Sequence, residues 1–273
     1  MTGWTRYVAV GDSFTEGLND DGERLGAAAG EAALDSPGRF VGWADRLAGL
    51  LGQDAEDPTT FRYANLAVRG RLLAEIVGPQ LDAALALGPD LVSIVGGGND
   101  ILRPRADVDA LVRQLEAGVA HARASGADVL MATPVDPADA PLIRHTRGRA
   151  GAYAAHINSI ARAHGAYVVD QWGMSVLRDW RIWADDRIHM VSEGHRRVAL
   201  EAFASLTAEH VDRSAAPWRV PLDETVPAAV LGLRSNAEWA RQYVAPWVQR
   251  RLRGRSSGDA RSAKRPVLGR WPD

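Results

Sequence analysis

The chain has no cysteine in 273 residues, which excludes disulfides, thiolate metal sites and a cysteine nucleophile. Covalent chemistry, if there is any, falls on oxygen nucleophiles. No window approaches the roughly 18 to 20 uninterrupted apolar residues that a membrane helix needs. Phosphate-cradling motifs are missing too: GxxxxGK[ST] does not occur, and Gly96-Gly97-Gly98-Asn99-Asp100-Ile101 lacks the final glycine of GxGxxG. Asp107-Val108-Asp109 lies at a predicted helix start, where carboxylates suit the helix dipole without any ion. The expectation is therefore no metal and no cofactor. There is no internal repeat.

The balance of charge differs along the chain: the body is net acidic and the last stretch is net basic. Formal net charge is -2, yet residues 250–273 hold eight Lys/Arg against Asp259 and Asp273, so the preceding 249 residues are net acidic. An acidic body is a poor match for phosphate neutralisation, so no nucleic-acid partner is expected of the folded part. For the basic tail, keeping an extended or disordered end solvated is favoured over docking to a membrane or a protein. Before the first predicted strand, Met1 to Arg6 has no stretch of signal-peptide length, which leads to the expectation of a cytoplasmic protein.

Hydrophobic residues make up 46% of the chain, ample for a buried core. Apolar runs alternate with helical patterns through the first 210 residues, the signature of a parallel sheet covered on both faces. Strands are expected at 6–11, 61–66, 90–96, 127–133 and 166–170. Amphipathic helices are expected around Trp43-Leu47-Leu50-Leu51, Leu111-Val112-Leu115-Val119 and Tyr153-Ile157-Ile160-Ala161, each at helical spacing. Residues 18–39 break this rhythm and read as a surface excursion. The predicted organisation is a main domain over 1–213, a helical extension packed on it over 214–253, and a basic flexible tail over 254–273. Ser235-Asn236-Ala237-Glu238 is a capping-box signature opening a helix with Trp239, Tyr243 and Trp247 on one stripe, kinked at Pro246.

Chemistry-bearing residues gather at strand ends and in one loop. Ser13 follows the first strand in Gly11-Asp12-Ser13-Phe14-Thr15-Glu16-Gly17; it could be an exposed nucleophile or merely cap the next helix. Asp186-Arg187-Ile188-His189 places a carboxylate three residues before an imidazole, so that Asp186 can orient His189 while Nε2 faces Ser13. Asp185 is the rival orienter. His195, in a helix opened by Ser192, is a second base candidate better explained by packing, and His121, His145, His156, His164 and His210 lack the carboxylate-rich setting. Asn99 and Gly70, each at a strand end, can offer N–H groups to a developing oxyanion, with Ser13 N–H a third donor.

In this order the four blocks resemble the SGNH hydrolase family, also called GDSL-type lipases or esterases. Ser13 matches the family's serine, Gly70 its glycine, Asn99 its asparagine in Gly97-Gly98-Asn99-Asp100, and His189 its histidine, with Asp186 completing DxxH. The resemblance spans residues 6–210. It implies a flavodoxin-like three-layer α/β/α sandwich with a five-stranded parallel sheet in the order 2-1-3-4-5. It also implies hydrolysis of carboxylic esters or thioesters through an acyl-serine, on a small-molecule acyl ester. The triad would be Ser13, His189 and Asp186, and the oxyanion hole Ser13, Gly70 and Asn99. Stretch 18–39 is longer than the family pattern suggests. An acyltransferase using the same site, or a binding module without catalysis, are the alternatives.

Overall fold

Successive residues of the first strand, β1 (Arg6–Gly11), face opposite ways into two separate apolar layers. Tyr7 and Ala9 enter one cluster with Trp43, Leu47 and Leu51, whereas Val8 and Val10 enter another with Val92, Ile94 and Leu115. A strand buried on both faces must be apolar at every position, which is why the strand runs are continuous rather than alternating. The computed structural model describes residues 3–20, 40–140, 143–207, 212–223, 239–244 and 256–271.

The other parallel strands are β2 (Arg62–Asn65), β3 (Leu91–Val95), β4 (Asp128–Ala132) and β5 (Tyr167–Val169). Eight α-helices flank or cap them among the described residues: α1 (Ser13–Glu16), α2 (Trp43–Asp54), α3 (Leu73–Glu75), α4 (Leu81–Leu85), α5 (Gly98–Ile101), α6 (Val108–Ala124), α7 (Arg147–His164) and α8 (Ser192–Thr207). α2 and α8 cover one face of the sheet; α3, α4, α6 and α7 cover the other. The three expected helices and five expected strands are all present. Trp43, Leu47 and Leu51 are fully buried, each such side chain contributing about 1.5–3 kcal/mol by leaving water.

The sheet has six strands in the order β5-β4-β3-β1-β2-β6, so the expected order 2-1-3-4-5 holds and the expected count of five does not. The added strand, β6 (Arg265–Gly269), comes from the basic tail and pairs antiparallel with the outer edge of β2. Its apolar core is only Pro-Val-Leu, too short to stand out among flanking cations. Pro266 and an exposed Val267 on an outermost strand agree with the tolerance of edges for proline. The capping-box residues Ser235 to Glu238, Pro246, Trp247 and most of the 18–39 excursion lie outside the described residues.

Because β1 is central, with β2 on one side and β3 on the other, the chain diverges at the carboxyl ends of these strands. An open α/β sheet places its ligand crevice at such a switch point. Gly11 pairs with Val95 of β3, and Val68 N–H donates to Gly11 O at 3.2 Å, extending the β1–β2 pairing past β2. The segments carrying Ser13, Gly70 and Asn99 therefore leave the sheet side by side.

Candidate active site

Asp12, not Ser13, caps the turn that follows β1. Its carboxylate accepts the Phe14 N–H at 3.0 Å, and the single turn α1 ends at Gly17. The Ser13 hydroxyl is thereby left to meet His189, whose Nε2 lies 2.8 Å from Ser13 Oγ. On the other side of the ring, Nδ1 lies 2.6 Å from Asp186 Oδ2. Asp185 is exposed and takes no part in this contact.

The loop carrying the acid and the imidazole is braced from several directions. Asp186 Oδ1 accepts the Ile188 and His189 N–H groups, each at 3.0 Å, folding the chain back so that residues three apart meet. Ala184 N–H donates to His189 O at 2.9 Å, and Arg187 adopts the left-handed region at φ 58° to make the turn. Trp239 Nε1–H donates to Asp186 O at 2.9 Å, and the Arg187 guanidinium lies 5.0 Å from the centre of the Trp239 ring. Asn19, just past the serine turn, donates through Nδ2 to Asp186 Oδ2 at 2.7 Å. Neither Asn19 nor Trp239 was singled out for the site by sequence; Asn19 adopts a left-handed φ of 73°, which local sequence does not reveal.

These contacts set the electrostatics. Burial alone would hold His189 neutral, but the Asp186 charge and hydrogen bond outweigh it and raise the imidazole above its ordinary value. Burial would likewise raise Asp186, and the opposed charge and donors from His189 and Ile188 pull it below the ordinary carboxylate range instead. Asp12 is pushed up to about 6, chiefly by burial and only partly offset by the Phe14 N–H.

Gly70 and Asn99 follow β2 and β3, the two strands that flank β1. Gly70 sits at φ 75°, a conformation that strains any residue with a Cβ. Among the described residues neither the Ser13 nor the Gly70 N–H has a backbone hydrogen-bond acceptor. Asn99 Nδ2 points to Asp12 Oδ2 at 3.2 Å and to Arg71 O at 3.1 Å, two acceptors that identify the nitrogen side of the amide. Asp100 Oδ2 accepts the Leu73 N–H at 2.9 Å, tying the β3 turn to the segment after Gly70. Gly97, at φ 96°, is pressed against Tyr153, where a Cβ would come within 2.8 Å of the phenol oxygen.

The remaining histidines keep their distance from this chemistry. His195 is buried, stacks on Phe14 with ring centres 5.6 Å apart, and accepts the Trp43 N–H at Nδ1, 3.2 Å away. Burial lowers its pKa to about 4, so it packs as a neutral ring. Ser192, expected to cap the helix containing His195, instead donates its hydroxyl to Asp20. His145 and His156 are exposed, and His121 and His164 lie beside surface carboxylates. His210 lies outside the described residues.

Residues 9–197 match the family model described as GDSL-like lipase/acylhydrolase. The chain belongs to the GDSL-like lipase/acylhydrolase family. It is accordingly a carboxylic ester hydrolase. No curated protein matches it. Solved structures do. TesA is 24% identical, with 74% of this chain covering 98% of that one at a TM-score of 0.57. A catalytic mutant of Axe2, an acetylxylan esterase from Geobacillus stearothermophilus, is 21% identical over 77% of this chain and 97% of that one, at 0.58. LAE5, an alpha/beta hydrolase enzyme from the metagenome of Lake Arreo, Spain, is 22% identical over 76% and 99%, also at 0.58. At these identities the likeness speaks to the fold of this GDSL hydrolase. No described helix is long and apolar enough to cross a membrane.

Proposed function

We propose that this GDSL hydrolase cleaves esters of small molecules through an acyl-serine intermediate, with Ser13 as nucleophile, His189 as general base and Asp186 as the group that orients it. The observation that carries this reading is the continuous contact from Ser13 Oγ to His189 Nε2 and from His189 Nδ1 to Asp186 Oδ2, at 2.8 and 2.6 Å. His189 takes the Ser13 proton as Oγ attacks the ester carbonyl. The imidazolium is stabilised by Asp186 and then protonates the departing alkoxide. Water repeats the sequence on the acyl-enzyme and releases the acid.

The tetrahedral oxyanion is held by Ser13 N–H and Gly70 N–H, whose lack of backbone acceptors among the described residues supports this role. Asn99 contributes the third donor by turning one amide hydrogen from Asp12 toward the oxyanion.

Hydrolysis of p-nitrophenyl acetate and covalent labelling by a fluorophosphonate test the assignment. Ser13→Ala is expected to lower kcat on the order of 10⁴-fold or more and to abolish labelling, with the circular dichroism spectrum unchanged. Turnover or labelling surviving in the folded variant would give the nucleophile's role to another residue.

A further inference from the structure

The tail segment 256–264 lies directly against the oxyanion side of the site. A Cβ placed on Gly70 would fall 2.3 Å from Ser256 Oγ and 2.9 Å from Ser257 Oγ, and one placed on Gly258 would fall 2.1 Å from Arg69 O. Two backbone stretches nearly 190 positions apart thus touch at their glycines. The tail turn is braced from within: Ser256 N–H donates to Asp259 Oδ2 at 2.8 Å, and Gly258 N–H to Ser256 Oγ at 3.2 Å.

Lys264 anchors the far end of the same segment to the serine turn. Its ammonium donates to Glu16 O at 2.6 Å, Phe40 O at 2.9 Å and Asp45 Oδ2 at 2.6 Å, spending all three hydrogens in a nearly buried place. Glu16 is the last residue of α1, whose first is Ser13. The Glu16 carboxylate in turn accepts the Arg69 N–H at 2.7 Å and the Arg69 guanidinium at 2.5 Å. A closed circuit results: Gly70 follows Arg69, Arg69 holds Glu16, Glu16 O holds Lys264, and the tail runs back from Lys264 to rest on Gly70.

We propose that residues 256–264 act as a clamp that fixes Gly70 relative to Ser13, with Lys264 and Gly258 as positioning residues for the oxyanion site; this rests on the reading of Gly70 N–H as an oxyanion donor. Such a donor works only when aimed at where the charge develops. Gly70 lies beyond the strand pairing on a turn that the sheet does not hold. The tail supplies the missing constraint from outside, and the buried Arg69–Glu16 pair supplies it from within.

The test uses the full chain, with kcat expressed per site titrated by the fluorophosphonate so that misfolded molecules drop out. Gly258→Ala is the decisive variant, because Gly258 is outside the left-handed region and the alanine methyl meets the backbone just before Gly70, 2.1 Å from Arg69 O, with Val68 Cγ1 at 3.0 Å beside it. It should lower kcat for p-nitrophenyl acetate roughly 10- to 100-fold, the cost of a small misplacement, with KM within about twofold. Affinity for phenylboronic acid, whose serine adduct carries an anionic oxygen, should weaken in parallel. Lys264→Met should show the same split between kcat and KM. A normal kcat and phenylboronate affinity in Gly258→Ala overturns the clamp even if Lys264→Met is impaired, since Lys264 also neutralises the buried Asp45. If Lys264→Met fails to fold, Gly258→Ala alone decides. Ser13→Ala keeps the two proposals apart: activity surviving there removes the nucleophile assignment itself, whereas an inactive Ser13→Ala beside a normal Gly258→Ala removes only the clamp.

Discussion

Ser13 Oγ and His189 Nε2 stand 2.8 Å apart although 176 positions separate them, and the ring between them and Asp186 is held on both nitrogens. A base fixed on both sides has one tautomer and one orientation. That arrangement ties the pH dependence of the enzyme to the Asp186 contact.

The acid limb of kcat/KM should therefore have its midpoint above the ordinary histidine value of about 6.5. His189 must be neutral to take the Ser13 proton, and Asp186 raises its pKa, so activity is lost as pH falls through that raised value. A profile of p-nitrophenyl acetate hydrolysis measures it. A midpoint clearly below 6.5 would mean that burial, rather than the carboxylate, governs the ring.

Asp186→Asn should cost up to about 10⁴-fold in kcat, because the amide can favour the wrong tautomer. It should also move the acid limb to lower pH, since the charge that opposed burial is gone. Both shifts are read from one pH series. A mild loss with an unmoved limb would hand the orienting role to another acceptor. Asn19→Asp sets a second carboxylate against Asp186 Oδ2, now 2.7 Å from the Asn19 amide, and should move the limb upward.

Gly70→Ala combines a left-handed backbone with two serine oxygens in the space of the new methyl. A loss of roughly 10²-fold or more in kcat is expected, comparable to removing an oxyanion donor. Ser256→Gly in the same chain takes away the nearest collision and should recover part of the loss. No recovery would leave the backbone conformation as the sole cause.

Glu16→Gln breaks a pair in which the Arg69 and Glu16 side chains are only 7% and 12% exposed. Removing one charge from such a pair costs about 3 kcal/mol, because the other is left desolvated. Urea unfolding at neutral pH reads the difference. An unchanged midpoint would show that the guanidinium finds another acceptor at no cost.

Much of this was legible in the sequence, because the signals were local. Period and composition marked β1 to β5 and the helices holding Leu47, Leu115 and Ile157, and Ser13, Asn99 and the Asp186–His189 pair stood at strand ends or in a short motif. What stayed hidden depends on partners far along the chain. Lys264 reaches Glu16 across 248 positions, and two of its three acceptors are carbonyl oxygens, which every residue carries and no side-chain pattern betrays. β6 is a strand only because β2 offers it an unpaired edge. Asn19 matters through a single hydrogen bond to Asp186, and its neighbours in sequence give no hint of it.

The order in which the polypeptide is made gives β6 a further meaning. Asn65 and Tyr63 leave the ribosome some two hundred residues before Arg265 and Gly269, their partners across the sheet. Until those arrive, one flank of β2 stays bare and the Asp45 carboxylate lacks its cation. The nascent chain can thus assemble its central strands early, yet it completes the setting of its serine only when the last stretch of the clamp has emerged.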